Sequence, residues 1–116
     1  VDQEEAVMDA ALKSKWVKAL LSGDYKQGRG LLHDDADNTN CCLGVLCEVV
    51  AKEDPRIQRT QGGYSFNKKV SVKTDLSNVM RRHFGLTWED EGDLIEMNDV
   101  KGNSFFDIAV YIEQNL

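Results

Sequence analysis

Proline is almost absent from this chain: Pro55 alone among 116 residues, with nine glycines, no internal repeat and no low-complexity tract. That excludes a collagen-like or Pro-rich extended chain and gives no compositional sign of disorder. Long apolar runs are missing as well. The richest, Cys41 to Ala51, is broken by Gly44 and Glu48 and falls far short of the roughly 20 residues that span a bilayer. The first ten residues, VDQEEAVMDA, are acidic and show neither the basic n-region nor the apolar h-region of a secretory signal. Membrane contact is therefore not expected.

Histidine is scarce, with only His33 and His83, and the three cysteines Cys41, Cys42 and Cys47 crowd into seven residues. An odd, clustered set makes a poor disulfide framework and reads as reduced thiols in a reducing cytoplasm. A zinc site would need four ligands. Adjacent Cys41 and Cys42 point about 100° apart on a helix, and only His33 and His83 could complete a set. No metal or cofactor is expected.

What remains is ordinary globular material: 41% hydrophobic and 29% charged, in a length that suits one domain across residues 1–116. Charge is uneven. Residues 1–51 hold 5 basic and 9 acidic groups, residues 52–82 hold 8 and 3, and residues 83–116 hold 1 and 8. The net of −6 argues against generic nucleic-acid binding, although the middle third is basic.

Periodicity and capping predict a first helix over residues 3–22, capped by Asp2 with Glu5, its face built from Met8, Leu12, Trp16 and Leu20, and stopped at Gly23. Residues His33–Asn40 read as a polar loop whose Asn40 caps a second helix from Cys41 to Lys52. Gly62-Gly63 predicts the turn of a β-hairpin over residues 56–72, with Ile57 opposite Lys68 and with Tyr64, Phe66, Val70 and Val72 on the apolar face. A third helix is expected from Asp75 to Phe84, capped by Thr74 and ended by Gly85. Thr87 with Asp90 opens a fourth that stops near Asn98-Asp99. Ser104 with Asp107 opens the last, whose core face is Phe105, Ile108, Ala109, Ile112 and Leu116. Four to five helices around a small antiparallel hairpin make an α+β domain.

Four features carry possible chemistry. Cys41 or Cys42 at a helix N-terminus could be a lowered-pKa nucleophile with His33 or His83 as base, a thiol hydrolase; packing of a buried apolar helix is the favoured explanation, since Gly44-Val45-Leu46-Cys47 reads as core and no oxyanion-hole motif accompanies them. Gly28-Arg29-Gly30 lacks the Gly-Lys-Ser/Thr ending of a phosphate loop and reads as a turn, with Tyr25 and Gln27 placed to bond it onto the first helix. Arg56, Arg59, Lys68 and Lys69, with Tyr64 and Phe66, could bind single-stranded nucleic acid, but the same register sends both aromatics into the core. Residues 89–99 hold six acidic groups and no basic one, and Glu89, Asp93 and Glu96 share a helical stripe: a solvated face, or a docking surface for a basic protein.

KWVKALLSGDYKQGRGLL (Lys15–Leu32) with CCLGVLCEVV (Cys41–Val50), and LIEMNDVKGNSFFDIAVYIEQNL (Leu94–Leu116), together resemble a widespread family of small proteins encoded by bacteriophages and prophages. The signature is Trp…Tyr-x-Gln-Gly…CCLGVLC…Asn-Asp…SF-x-x-IA. Residues Glu53–Lys73 take no part in it, and Val100-Lys101-Gly102 lengthens the turn expected there. The resemblance implies an origin rather than an activity: a phage accessory protein in the bacterial cytoplasm. The leading expectation is a non-enzymatic binder of a host or defence protein with a basic surface.

Overall fold

The computed structural model describes residues 7–116. Its elements in order are α1 (Ala10–Leu21), β1 (His33–Asp34), β2 (Thr39–Asn40), α2 (Cys42–Ala51), β3 (Ile57–Thr60), β4 (Gly63–Phe66), α3 (Asn78–Phe84), α4 (Trp88–Ile95), a π-helical turn (Glu96–Val100) and α5 (Phe105–Asn115). Two small antiparallel sheets, β1-β2 and β3-β4, give an α+β fold. Helix α2 is the central element, with eight of its ten residues buried. Helices α1 and α4 and strand β3 pack on it, and α5 lies along α1.

Expected caps and core faces form where the partners lie within one turn. Thr87 and Asp90 close a capping box on α4, and Ser104 and Asp107 close another on α5. Gly85 ends α3 at φ 82°, and the Leu86 N–H reaches the Arg81 carbonyl at 3.1 Å. Ile108, Ala109 and Ile112 are buried as the periodicity requires, and so are Trp16 and Leu20.

Several expectations fail for non-local reasons. Helix α1 begins at Ala10, where Asp9 accepts the Leu12 N–H at 3.0 Å; the proposed Asp2–Glu5 cap lies outside the described residues. Helix α3 begins at Asn78 with Ser77 as cap, not at Asp75 with Thr74. The Leu76 N–H donates to Glu91 Oε2 at 2.7 Å, which holds the preceding residues off the helix. Helix α4 gives way at Glu96 to the π turn, which ends at Val100, one residue past the expected stop near Asn98-Asp99, with the Lys101 N–H bonding the Glu96 carbonyl.

The hairpin is shifted by one residue at its turn. Its loop is Gln61-Gly62, with Gly62 at φ 77°, so Thr60 pairs with Gly63 and Ile57 with Phe66, not with Lys68. Gly63 serves a different need: a Cβ there would sit 1.9 Å from the Val72 carbonyl oxygen. Beyond Phe66 the chain reverses again through Asn67 and Lys68 (φ 55° and 60°), and Val72 pairs with Tyr64 from the other side. Val70, expected on the apolar face, is 87% exposed at this second turn.

Candidate functional site

The cysteines stand at the start of α2, and Asn40 is not their cap. Cys41 occupies that position with no side-chain cap bond. The orphan Cys42 N–H is met by Asn98 Oδ1 at 3.2 Å, a side chain delivered from the π turn. A π turn carries an extra residue per turn, and here it swings Asn98 fully inside.

Asn98 is the hub of a buried polar lattice. Its Oδ1 also accepts Gln27 Nε2 at 2.9 Å, and its Nδ2 donates to the Gly28 carbonyl at 2.9 Å. Gln27 donates again to the Asn103 carbonyl, and Asp99 Oδ1 accepts the Gly30 N–H at 3.0 Å. The Gly28-Arg29-Gly30 turn is therefore fastened to the π turn and the loop after it; Gln27 does not bond it to the first helix. Trp16 Nε1 donates to the Cys42 carbonyl at 3.0 Å. Where Gly44 passes, a Cβ would lie 1.8 Å from the Leu32 carbonyl oxygen. The residues of the Trp…Gln-Gly…CCLG…Asn-Asp signature thus meet in one place, and what they do there is hold the backbone together.

This setting decides the thiols. Cys41, Cys42 and Cys47 are all buried. Burial pushes the Cys41 thiol up to about 11, outweighing the backbone N–H groups of Gly44 and Leu43 that favour thiolate. Cys42 and Cys47 are pushed well above the ordinary range by the same desolvation. Cys42 Sγ faces the Leu94 carbonyl at 3.7 Å. The expected lowering by the helix N-terminus is overturned because the site is dry.

Neither histidine is placed as a base for them. His33 is buried, with Nδ1 3.3 Å from Asn40 Oδ1 and Nε2 3.5 Å from Asp35 Oδ1. Residues His33–Asn40 are thus no simple polar loop but a two-strand clip with a buried end. Asn40 Nδ2 donates to the Leu32 carbonyl and to the Tyr64 hydroxyl, which in turn donates to Glu48 Oε2 at 2.6 Å. Burial, then Glu48, raises the Tyr64 pKa. His83 is engaged elsewhere, with Nε2 3.0 Å from Asp54 Oδ2. Arg56 grips the same carboxylate with two bonds and holds it well below the usual carboxylate range. Among the described residues no group of three or more His, Cys, Asp or Glu could hold a metal.

The basic hairpin is largely occupied by its own fold. Tyr64 is fully buried, Arg59 lies 3.4 Å from Glu48, and Arg56 is tied to Asp54 with its guanidinium over Phe66. Lys68 and Lys69 stay exposed.

The acidic run divides in two. Asp90 belongs to the capping box, Glu91 is buried 3.7 Å from Arg81, and Asp99 holds Gly30. Desolvation raises the Glu91 pKa despite that arginine. Glu89, Asp93 and Glu96 all face solvent, and none makes an ion pair among the described residues. Beside them stands Trp88, 74% exposed, which the periodicity of the sequence did not single out. It occupies the first position of α4, with Gly92, which has no side chain, four residues on.

Fold and site define an α+β domain whose cysteines and buried amides serve packing and whose outward chemistry is surface charge with exposed apolar side chains. Residues 8–116 match the model of a family described as a domain of unknown function (DUF8296), and the chain belongs to that family. No curated protein and no solved structure matches it. Among the described residues no helix is long and apolar enough to cross a membrane.

Proposed function

We propose that this chain is a small binding protein, a phage accessory factor that engages a host or defence protein of basic surface inside the bacterial cytoplasm. The observation that carries the reading is the outer face of α4 and the start of the π turn, where Glu89, Asp93 and Glu96 face solvent and Trp88, at the start of α4, is exposed. An exposed aromatic next to a stripe of like charge suits protein recognition: the aromatic supplies area to bury and the charges steer approach. The phage origin rests on the sequence resemblance alone.

A thiol hydrolase is disfavoured by the same coordinates, since all three thiols are buried and raised in pKa. Nucleic-acid binding through residues 56–72 is disfavoured by the ion pairs that occupy Arg56 and Arg59.

The test is capture from bacterial lysate on the immobilised protein, compared with the Glu89→Lys/Asp93→Lys/Glu96→Lys variant. The variant should keep its fold, because exposed charge changes typically stay within about half a kcal/mol each. A partner should be captured stoichiometrically by the parent, associate more slowly with the variant at low salt, and lose that difference as salt rises. Repeated absence of any stoichiometric partner, or an on-rate untouched by the reversal, would sink the reading.

A further inference from the structure

Two valines stand in water on different elements and face one hollow. Val70, at the second hairpin turn, is 87% exposed, and Val79, on the first turn of α3, is 59% exposed. With Phe66 and Val72 they line an open cavity of about 410 Å³ that Asn67, Lys69 and Ser77 complete. That volume lies in the range of ligand clefts. A slightly larger hollow, about 470 Å³ between α1 and the end of α2, is unlike it. Its walls carry charges already paired with each other, Lys15 with Glu53 and Arg56 with Asp54.

The rim of the valine hollow is cationic. Lys69 lines it, and the exposed Lys68 precedes it in the chain at the tip of the turn. Asp75 is the one acidic residue between Val72 and Arg82. The segment 52–82 as a whole carries 8 basic and 3 acidic groups in a chain whose net charge is −6. The turn itself is costly. Lys68 sits at φ 60°, a left-handed conformation that glycine adopts freely and other residues adopt only at a cost. Lys68 itself lines a neighbouring hollow with Pro55 and Arg56, and Asn67 is shared by the two.

We propose that this hollow is a docking site for an acidic segment of another protein carrying an apolar anchor side chain. The anchor fills the space between Val70, Val72, Val79 and Phe66, and flanking carboxylates meet Lys68 and Lys69. Charge complementarity selects this occupant: an apolar pocket with a lysine rim rejects a basic segment by like-charge contact and leaves no base-stacking face, since Phe66 already packs against His83 at 5.2 Å and under Arg56 at 5.3 Å. The site is separate from the acidic face of α4, so the domain presents two surfaces of opposite character.

The probe is a fluorescein-labelled 12-residue peptide with glutamates flanking a central Leu-Trp pair, followed by anisotropy against the full chain. Saturable binding is expected, weakening as salt rises. Val70→Asp with Val79→Asp should weaken it at least tenfold while the melting temperature stays within a few degrees, since both side chains are exposed. Lys68→Glu with Lys69→Glu should slow association. Reversal of Glu89, Asp93 and Glu96 should leave this binding unchanged, which separates the site from the α4 reading. The proposal is overturned by any of four results: no saturable binding, equal binding of the lysine counterpart of the peptide, undiminished binding to the Val70/Val79 variant, or tighter binding of a single-stranded oligonucleotide. Sedimentation supplies the last arm: a parent dimer that the valine variant converts to monomer would assign the hollow to a second copy and overturn it too.

Discussion

Gln27 and Asn98 are 71 residues apart in sequence, and Gln27 Nε2 lies 2.9 Å from Asn98 Oδ1 in the interior. That one contact joins the segment after α1 to the π turn after α4, and the same Asn98 oxygen caps α2 through the Cys42 N–H. Removing one member of a buried network leaves the others desolvated without partners, at about 1–3 kcal/mol for each stranded group. Asn98→Ala strands the Cys42 N–H and the Gly28 carbonyl together and leaves Gln27 only its bond to the Asn103 carbonyl. The expected loss is about 3 kcal/mol or more in urea unfolding, and a variant within about 1 kcal/mol of the parent would show the lattice to be dispensable.

Gly44→Ala sets two effects against each other. Helix propensity favours alanine over glycine by about 1 kcal/mol in a helix interior. The new Cβ would stand 1.8 Å from the Leu32 carbonyl oxygen, a backbone atom that cannot swing aside. Overpacking typically costs about 1–3 kcal/mol or more, so the steric effect should win and the melting temperature should fall. A rise would mean that the Leu32 segment yields freely.

Trp16 is fully buried and its indole N–H is bonded to the Cys42 carbonyl. Trp16→Ala should cost about 3–5 kcal/mol, close to unfolding for a domain of typical stability of about 5–15 kcal/mol. Trp16→Phe keeps much of the apolar volume and removes the donor, so a smaller loss is expected. Equal losses for the two would assign the residue's whole effect to the hydrogen bond.

The thiols make a pH prediction. Cys41 rises from an ordinary value of 9.0 to about 11 on folding, by burial first. A thiol pKa raised in the native state means that the unfolded chain loses its proton first. The contribution to stability is full below about pH 9.0 and drains away as pH climbs through about 11. Unfolding free energy should therefore decline across that window, and more shallowly in Cys41→Ala. A thiol reagent at neutral pH should label the native protein slowly and the unfolded protein fast. Rapid native labelling at one cysteine would restore the nucleophile reading.

Much of the architecture was legible because its determinants are local. A capping box spans three residues, a left-handed Gly85 ends a helix at its own position, and the 3.6-residue period of Ile108, Ala109 and Ile112 marks a core face without reference to anything else. The exposed acidic stripe Glu89, Asp93 and Glu96 was legible for the same reason. Trp88 was not, since exposure of an aromatic residue depends on what the rest of the chain leaves uncovered. The hairpin was recognised but its register was not: Gly62 and Gly63 look alike in sequence, and only the approach of Val72 shows that one makes the turn while the other makes room.

By itself, then, the sequence determined the α+β class, most of the helices with their caps, and a reduced, uneven chain whose charge collects in its middle and at its end. Only tertiary structure decided what the polar residues are for. Asn40, Gln27 and Asn98 read as loop and cap residues, yet each finds its partner across the fold, because a buried amide must be satisfied by whichever chain passes within about 3 Å. Tertiary structure also decided the cysteines. A helix N-terminus favours thiolate only where water or a counter-ion supports the charge, and the packing of Trp16, Leu94 and Asn98 around Cys42 leaves no room for either.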